Sequence, residues 1–267
     1  MKLNIVPART GTQWVREGVR TFFKQPLAMA GLFFMFMASL SVAAFVPLVG
    51  GLLALVLVPA LTAGLMAAAR EAEAGRFPMP MTLFIAFRQG PQATRAMLML
   101  GALYAVAVLL VMGASALIDG GRFAQLYVGG GGITPELVMD PQFRFAMWMS
   151  TLLYLPVSLA FWHAPALVHW HGVAPVKSLF FSLVAVLKNT RAYLLYGLMW
   201  MLMSFAGGMV LLVLTALSGS AAVASAGLLP VALLIASMFF TSLWFTFRDS
   251  FSDSAPPGDA AAPPASA

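Results

Sequence analysis

A chain of 267 residues that is 61% hydrophobic and 9% charged, with mean hydropathy +0.91, departs far from soluble domains, in which about a quarter of residues are charged. Its composition is that of a membrane protein. The lack of cysteine excludes disulfides, thiolate metal sites and cysteine nucleophiles, and the net charge of +6 comes from basic residues dispersed among apolar runs, not from the aromatic-interleaved patch that nucleic acid requires.

The chain opens with polar and amphipathic residues, and the first apolar run is followed almost at once by a second, so no cleaved signal peptide is expected. Residues 12–25 form an amphipathic helix. At about 100° per residue, Trp14, Val15, Gly18, Val19, Phe22 and Phe23 fill one half of the wheel, and Gln13, Arg16, Glu17, Arg20, Thr21 and Lys24 the other. This helix is expected to lie in the headgroup layer with its basic face toward anionic lipid, making Trp14, Arg16, Arg20, Phe22, Phe23 and Lys24 lipid-interface residues.

A helix crosses a ~30 Å hydrocarbon core in about 20 residues. Six runs qualify: Leu27–Val46, Leu48–Ala69, Ala96–Ile118, Ala146–Leu167, Tyr193–Leu217 and Gly227–Phe247. The first two are joined only by the turn around Pro47, Gly50 and Gly51, and the last two by Ser218–Ala226, so both are tight hairpins. In the second span, Ala60, Gly64 and Ala68 make a small-residue face for close helix packing, within the chain or between copies. Glu71 and Glu73, beside Arg70 and Arg76, read as solvated loop charges. Residues 79–90 are apolar but poorly segregated, and Pro91 ends them.

The outer loop Asp119–Phe145 contains a Gly129–Gly132 run that lacks the following lysine and the strand-to-helix setting of a phosphate loop. Pro59 and Pro156 are expected to kink spans two and four. His163, His169 and His171 cluster at the end of span four, which raises a metal site, but residues two apart on a helix point about 200° apart and no carboxylate is near in sequence. They read as interfacial histidines beside Trp162 and Trp170. Residues 175–189 form a third amphipathic segment, with Leu179, Phe180, Leu183, Val184, Val186 and Leu187 on one side and Lys177, Ser178, Ser182, Lys188 and Asn189 largely opposite. Lys177, Lys188 and Arg191 join the lipid-interface set. Residues 250–267, rich in Ala, Pro and Ser, are expected to be disordered.

Of the fifteen Lys and Arg, thirteen fall on one side of this threading and only Arg122 and Arg144 on the other. Short cytoplasmic loops retain basic residues, so both termini are predicted cytoplasmic. Trp14, Trp162, Trp170 and Trp244 near cytoplasmic ends, and Trp148 near an outer end, read as interfacial anchors. The fold class is therefore an all-α integral membrane protein, with one transmembrane domain over residues 1–249: six helices in three hairpin-like pairs, each preceded by an amphipathic or semi-buried interfacial helix. Short echoes, VPAL at Val58 against APAL at Ala164 and ATRA at Ala93 against NTRA at Asn189, raise a threefold repeat.

LNIVPARTGTQWVREG from Leu3 to Gly18, with GLFFMFM from Gly31 and FPMP at Phe77, resembles the opening of a family of uncharacterised proteobacterial six-span inner-membrane proteins, and the likeness runs through most of the spans. It implies a bacterial inner (cytoplasmic) membrane location and carries no site residue. A looser likeness, by layout alone, is to the membrane region attached to some glycerophosphodiester phosphodiesterases.

No Asp, Glu, Lys or Arg falls well inside a span, which argues against a carrier coupled through a buried carboxylate. The eighteen methionines read as packing and not as copper ligands, since only Met199 and Met203 share a helix face. No nucleophile elbow, paired carboxylates or metalloprotease motif is present. The expected function is non-enzymatic, without cofactor, through interaction with the lipid bilayer, anionic lipid in particular, or with a membrane protein partner or second copy. The alternative is a channel or uncoupled transporter for a neutral or apolar solute, with its path near Pro59, Pro156 and Ser158.

Overall fold

The computed structural model describes residues 2–129 and 134–252. The tail expected to be disordered therefore lies, beyond Ser252, outside the described residues, as does most of the glycine run. The described chain is helical but for one two-residue ladder. Its elements are β1 (Lys2–Leu3), α1 (Thr10–Lys24), α2 (Pro26–Ala44), α3 (Gly50–Glu73), a 3₁₀ segment (Pro80–Phe87), α4 (Pro91–Asp119), α5 (Arg122–Gly129), α6 (Pro135–Met139), α7 (Pro141–Phe161), α8 (Ala164–His171), α9 (Pro175–Lys188), α10 (Thr190–Ser218), α11 (Ala221–Ser250) and β2 (Phe251–Ser252).

Six helical stretches are long and apolar enough to cross a membrane: α2, α3, α4, α7 with α8, α10 and α11. They form three antiparallel pairs, and α1, the 3₁₀ segment and α9 each precede one. Several boundaries lie beyond the hydrophobic runs. At about 1.5 Å per residue, the 29 residues of α10 outreach a ~30 Å core. The turn between α10 and α11 is shorter than the apolarity pattern indicates: Gly219 adopts a left-handed conformation, and the Ser220 hydroxyl accepts from Ala222 N–H at 3.3 Å, starting α11 six residues before Gly227. The alanines there are weak membrane signals but strong helix formers.

The fourth span is two helices, not one. It breaks at Trp162 and His163, where Pro165 occupies the second position of α8. In an unbroken helix the His163 N–H would donate to the Leu159 carbonyl. Instead, the Ser182 hydroxyl of α9 stands between them, donating to Leu159 O at 2.9 Å and accepting from His163 N–H at 2.9 Å. One side chain thus satisfies both backbone groups freed by the break, which would each cost several kcal/mol unpaired in hydrocarbon. Pro156, the expected kink, sits inside α7 about one and a half turns before its end.

Helix α3 is the hub, packing against α2, α4, α11, α8, α1 and the 3₁₀ segment. Its half nearest Glu73 is buried from Pro59 to Ala69 but for half-buried Thr62, whereas no residue of Gly51–Val58 is buried. Close approach there depends on glycine. A Cβ on Gly64 would collide with the backbone of Leu83 in the 3₁₀ segment, and one on Gly101 of α4 with the carbonyl of Val56. Ala60, Gly64 and Ala68, the small-residue face, are all buried within this one chain.

Candidate functional site at the basic end of the bundle

The paired residues 2–3 and 251–252, α1, the 3₁₀ segment, α8 and α9 gather at one end, which also holds most of the charge. Helix α1 divides its faces as its wheel indicates. Arg16, Arg20 and Lys24 are exposed, while Trp14, Val15, Gly18 and Phe22 are buried. The apolar half, however, packs on protein and not on lipid. Trp14 is 0% and Phe22 1% exposed, enclosed by α10, α11 and α3, and only Phe23, at 60%, points outward. The reason is again glycine: a Cβ on Gly11 would strike the Ala192 carbonyl of α10, and one on Gly18 would strike Ser242 of α11, so the helix lies directly against both. The assignment of Trp14 and Phe22 to the lipid interface is corrected accordingly.

Polar contacts lock the same helix. Trp14 Nε1 donates to Asp249 Oδ2 at 3.0 Å, and the Arg248 guanidinium donates to Glu17 at 2.7 Å, to Glu73 at 2.5 Å and to Asp249 at 2.8 Å. Trp244 Nε1 donates to the other oxygen of Glu73 at 2.6 Å, and Lys24 Nζ to the Glu73 carbonyl at 3.0 Å. One arginine thus joins α1, α3 and α11. Glu73 is not a solvated loop charge, and Glu71 accepts from the Thr82 hydroxyl at 3.3 Å.

The tryptophans belong to this packing too. Trp14, Trp162, Trp170, Trp200 and Trp244 lie in a web of ring contacts with Tyr193, Tyr196, Phe239 and Phe247, with centroids 5.1–6.1 Å apart. Trp14, Trp200 and Trp244 are buried, and Trp162 and Trp170 half-buried. Trp148, at the far end, is 67% exposed. The four tryptophans at the basic end are core residues first, since their rings find aromatic partners inside the chain.

The histidines do not converge. His163 Nε2 lies 2.5 Å from the Tyr193 hydroxyl, His169 Nε2 3.4 Å from Gln89 Nε2, and His171 packs near Phe247. Among the described residues, no three His, Asp or Glu side chains are grouped to hold a metal ion.

Helix α9 departs most from its wheel. Ser178, Ser182 and Ala185 face inward, while Val176, Phe180 and Leu187 are exposed together with Lys177 and Lys188. The small residues face the protein because α7 and α8 approach closely and Ser182 must reach the helix break; the bulky apolar ones are left outside.

The strap before α1 completes the end. β1 pairs antiparallel with β2, Lys2 with Ser252 and Leu3 with Phe251. Buried Asn189, between α9 and α10, accepts from Val6 N–H at 2.8 Å and donates to the Asn4 carbonyl at 3.0 Å. Between the strap and the α9–α10 junction lies a groove of about 570 Å³, lined by Ile5–Ala8 and Leu187–Arg191. Lys188 and Arg191 are both exposed there. Asn189 carried a signal, an amide between an amphipathic and an apolar segment; Ser182, Glu17 and Arg248 carried none that distinguished them from their neighbours.

The chain is 37% identical over 254 residues to a probable inner membrane protein of Burkholderia thailandensis, an alignment covering 94% of each chain. No family model and no solved structure matches.

Proposed function

Since the chain belongs to the family of that Burkholderia protein and is a multi-pass inner-membrane protein, we propose that it works there without catalysis, by engaging anionic lipid through its basic end. In this reading both termini are cytoplasmic, and the bundle presents that end to the charged leaflet surface. The observation that carries it is the division of α1: its apolar face is spent on α10 and α11, leaving Arg16, Arg20 and Lys24 outside with exposed Phe23 beside them. Each basic residue near an anionic surface contributes about 1 kcal/mol, and this orientation keeps three of them available. A membrane protein partner or a second copy would compete for the same end.

The test uses the whole protein in nanodiscs of mixed phosphatidylglycerol and phosphatidylcholine, with the co-released lipids identified by native mass spectrometry. Enrichment of phosphatidylglycerol that falls in R16Q/R20Q/K24Q is the expected result. An equal lipid complement in the variant and the parent would overturn the proposal. A solute path finds less support, because Pro59 is buried in the bundle while Pro156 is exposed on its outside.

A further inference from the structure

Resting on the lipid-engaging reading but pointing to a different surface, we infer that the groove between the N-terminal strap and the α9–α10 junction is a discrete site for one anionic phospholipid headgroup. The groove is built from three features of different origin. Its floor is fixed: Asn189 is 2% exposed, and its amide holds Val6 N–H at 2.8 Å and the Asn4 carbonyl at 3.0 Å, so the strap cannot drift from α10 without breaking both bonds. Its charge has one sign. Lys188 and Arg191 line it, no Asp or Glu does, and neither cation forms a salt bridge among the described residues.

Its walls decide which anion it takes. Ile5, Val6, Pro7, Ala8 and Leu187 contribute apolar surface, with Ile5 74% and Leu187 57% exposed. Two cations alone would serve any phosphate group, free or esterified. Two cations flanked by exposed aliphatic side chains, at the end of a helix that continues into the bilayer, match an amphiphile whose phosphate meets the charges and whose acyl chains run along the apolar flank. The volume of about 570 Å³ admits a single headgroup.

The site is tested in nanodiscs of phosphatidylglycerol and phosphatidylcholine, with lipids counted by native mass spectrometry as collision energy is raised. The wild-type protein is expected to keep one phosphatidylglycerol after the rest have left. Removing two cations at about 1 kcal/mol each weakens binding about thirtyfold, so K188Q/R191Q should lose this last lipid. The charge-matched R16Q/R20Q should retain it. Loss of the lipid to the same extent in both doubles, or its persistence in K188Q/R191Q, would overturn the groove and leave the broader proposal intact. Absence of phosphatidylglycerol enrichment in the wild-type protein would overturn both. Inorganic phosphate that displaces the lipid at equal concentration would reassign the site to a free anion. Lys188 and Arg191 are exposed, and their side chains make no hydrogen bond among the described residues, so unchanged thermal unfolding of the double variant accompanies each informative outcome.

Discussion

The two ends of this bundle share an apolar helical interior and are held by different means. Toward the basic end, α3 from Pro59 to Ala69, the last turns of α11 and one face of α10, at Ala192, Tyr196 and Trp200, are covered by neighbouring elements, α1, α8, α9 and the 3₁₀ segment among them. Toward the far end, α10 from Met201 and α11 up to Leu234 are largely exposed, and their chief contact is with each other. An apolar cavity of about 420 Å³ opens between them beside Trp200, Ser204, Gly208 and Leu228. Hydrophobicity cannot explain the contrast, because in a bilayer an apolar side chain gains little by leaving lipid for protein. What differs is the supply of close-packing glycines and of polar groups with partners in other elements. The basic end has Gly11, Gly18 and Gly64 under backbones of other elements, along with the Ser182, Asn189 and Arg248 hydrogen bonds; at the far end Gly113 and Gly208 face open space, Gly207 and Gly227 meet only side chains, and Gly50 lies under the backbone of Ala44 across the α2–α3 turn.

The sharpest way to break this contrast is at the helix break. Ser182→Ala leaves the Leu159 carbonyl and His163 N–H unpaired together, and should lower stability by about 2–6 kcal/mol, read from thermal unfolding in detergent. A variant as stable as the parent would show that the break heals without its hydroxyl. Next comes Gly18→Val, which forces α1 from Ser242 and should cost about 1–3 kcal/mol or more, with increased labelling of a cysteine placed at Val15. Gly113→Ala at the far end should be neutral or stabilise by up to about 1 kcal/mol, since nothing lies near the added methyl and alanine favours the helix. If the two glycine substitutions cost the same, the contrast between the ends fails.

Arg248→Gln removes the single cation shared by Glu17, Glu73 and Asp249. These side chains are 25–40% exposed, so solvent screens the loss to about 1–2 kcal/mol, read as a lower thermal midpoint at neutral pH. The smallest effect belongs to the far end. Arg122 lies 2.6 Å from Asp140, and its hydrogen bond, with that of Phe143 N–H, holds the Asp140 carboxyl below the ordinary aspartate value of 3.8. A depressed native value means stability that is full above 3.8 and lost as pH falls through the native value. Asp140→Asn keeps the cap on α7, so its thermal midpoint should fall slightly below the parent's at pH 7 and converge with it as pH falls through the lowered native value.

The six spans were legible because each is a run long enough to cross a bilayer, and the first and last pairings followed from turns too short for anything but hairpins. The faces of α1 were legible as well, but not their neighbour: a wheel separates Trp14 from Arg16 without saying whether lipid or α11 meets the tryptophan. Helix α9 was misread because serine counts as polar on a wheel, whereas here its small size and hydroxyl place it inside. Glu73 looked solvated beside Arg70 and Arg76, since its true partner, Arg248, lies 175 residues away. Pro165 was the local sign of the break in span four; the group that stabilises the break belongs to another helix.

Pairing of residues 2–3 with residues 251–252 orders the biosynthesis of the molecule. The strap is among the first segments to leave the ribosome, yet its strand partner, and the α11 surface that covers Trp14 and Gly18, are among the last described residues to be made. Through most of translation α1 must wait with its apolar face uncovered, and pairing of the two strands is the step that marks the arrival of α11. A nascent protein halted before α11 would carry that face exposed, in the form that quality-control proteases and chaperones read as incomplete.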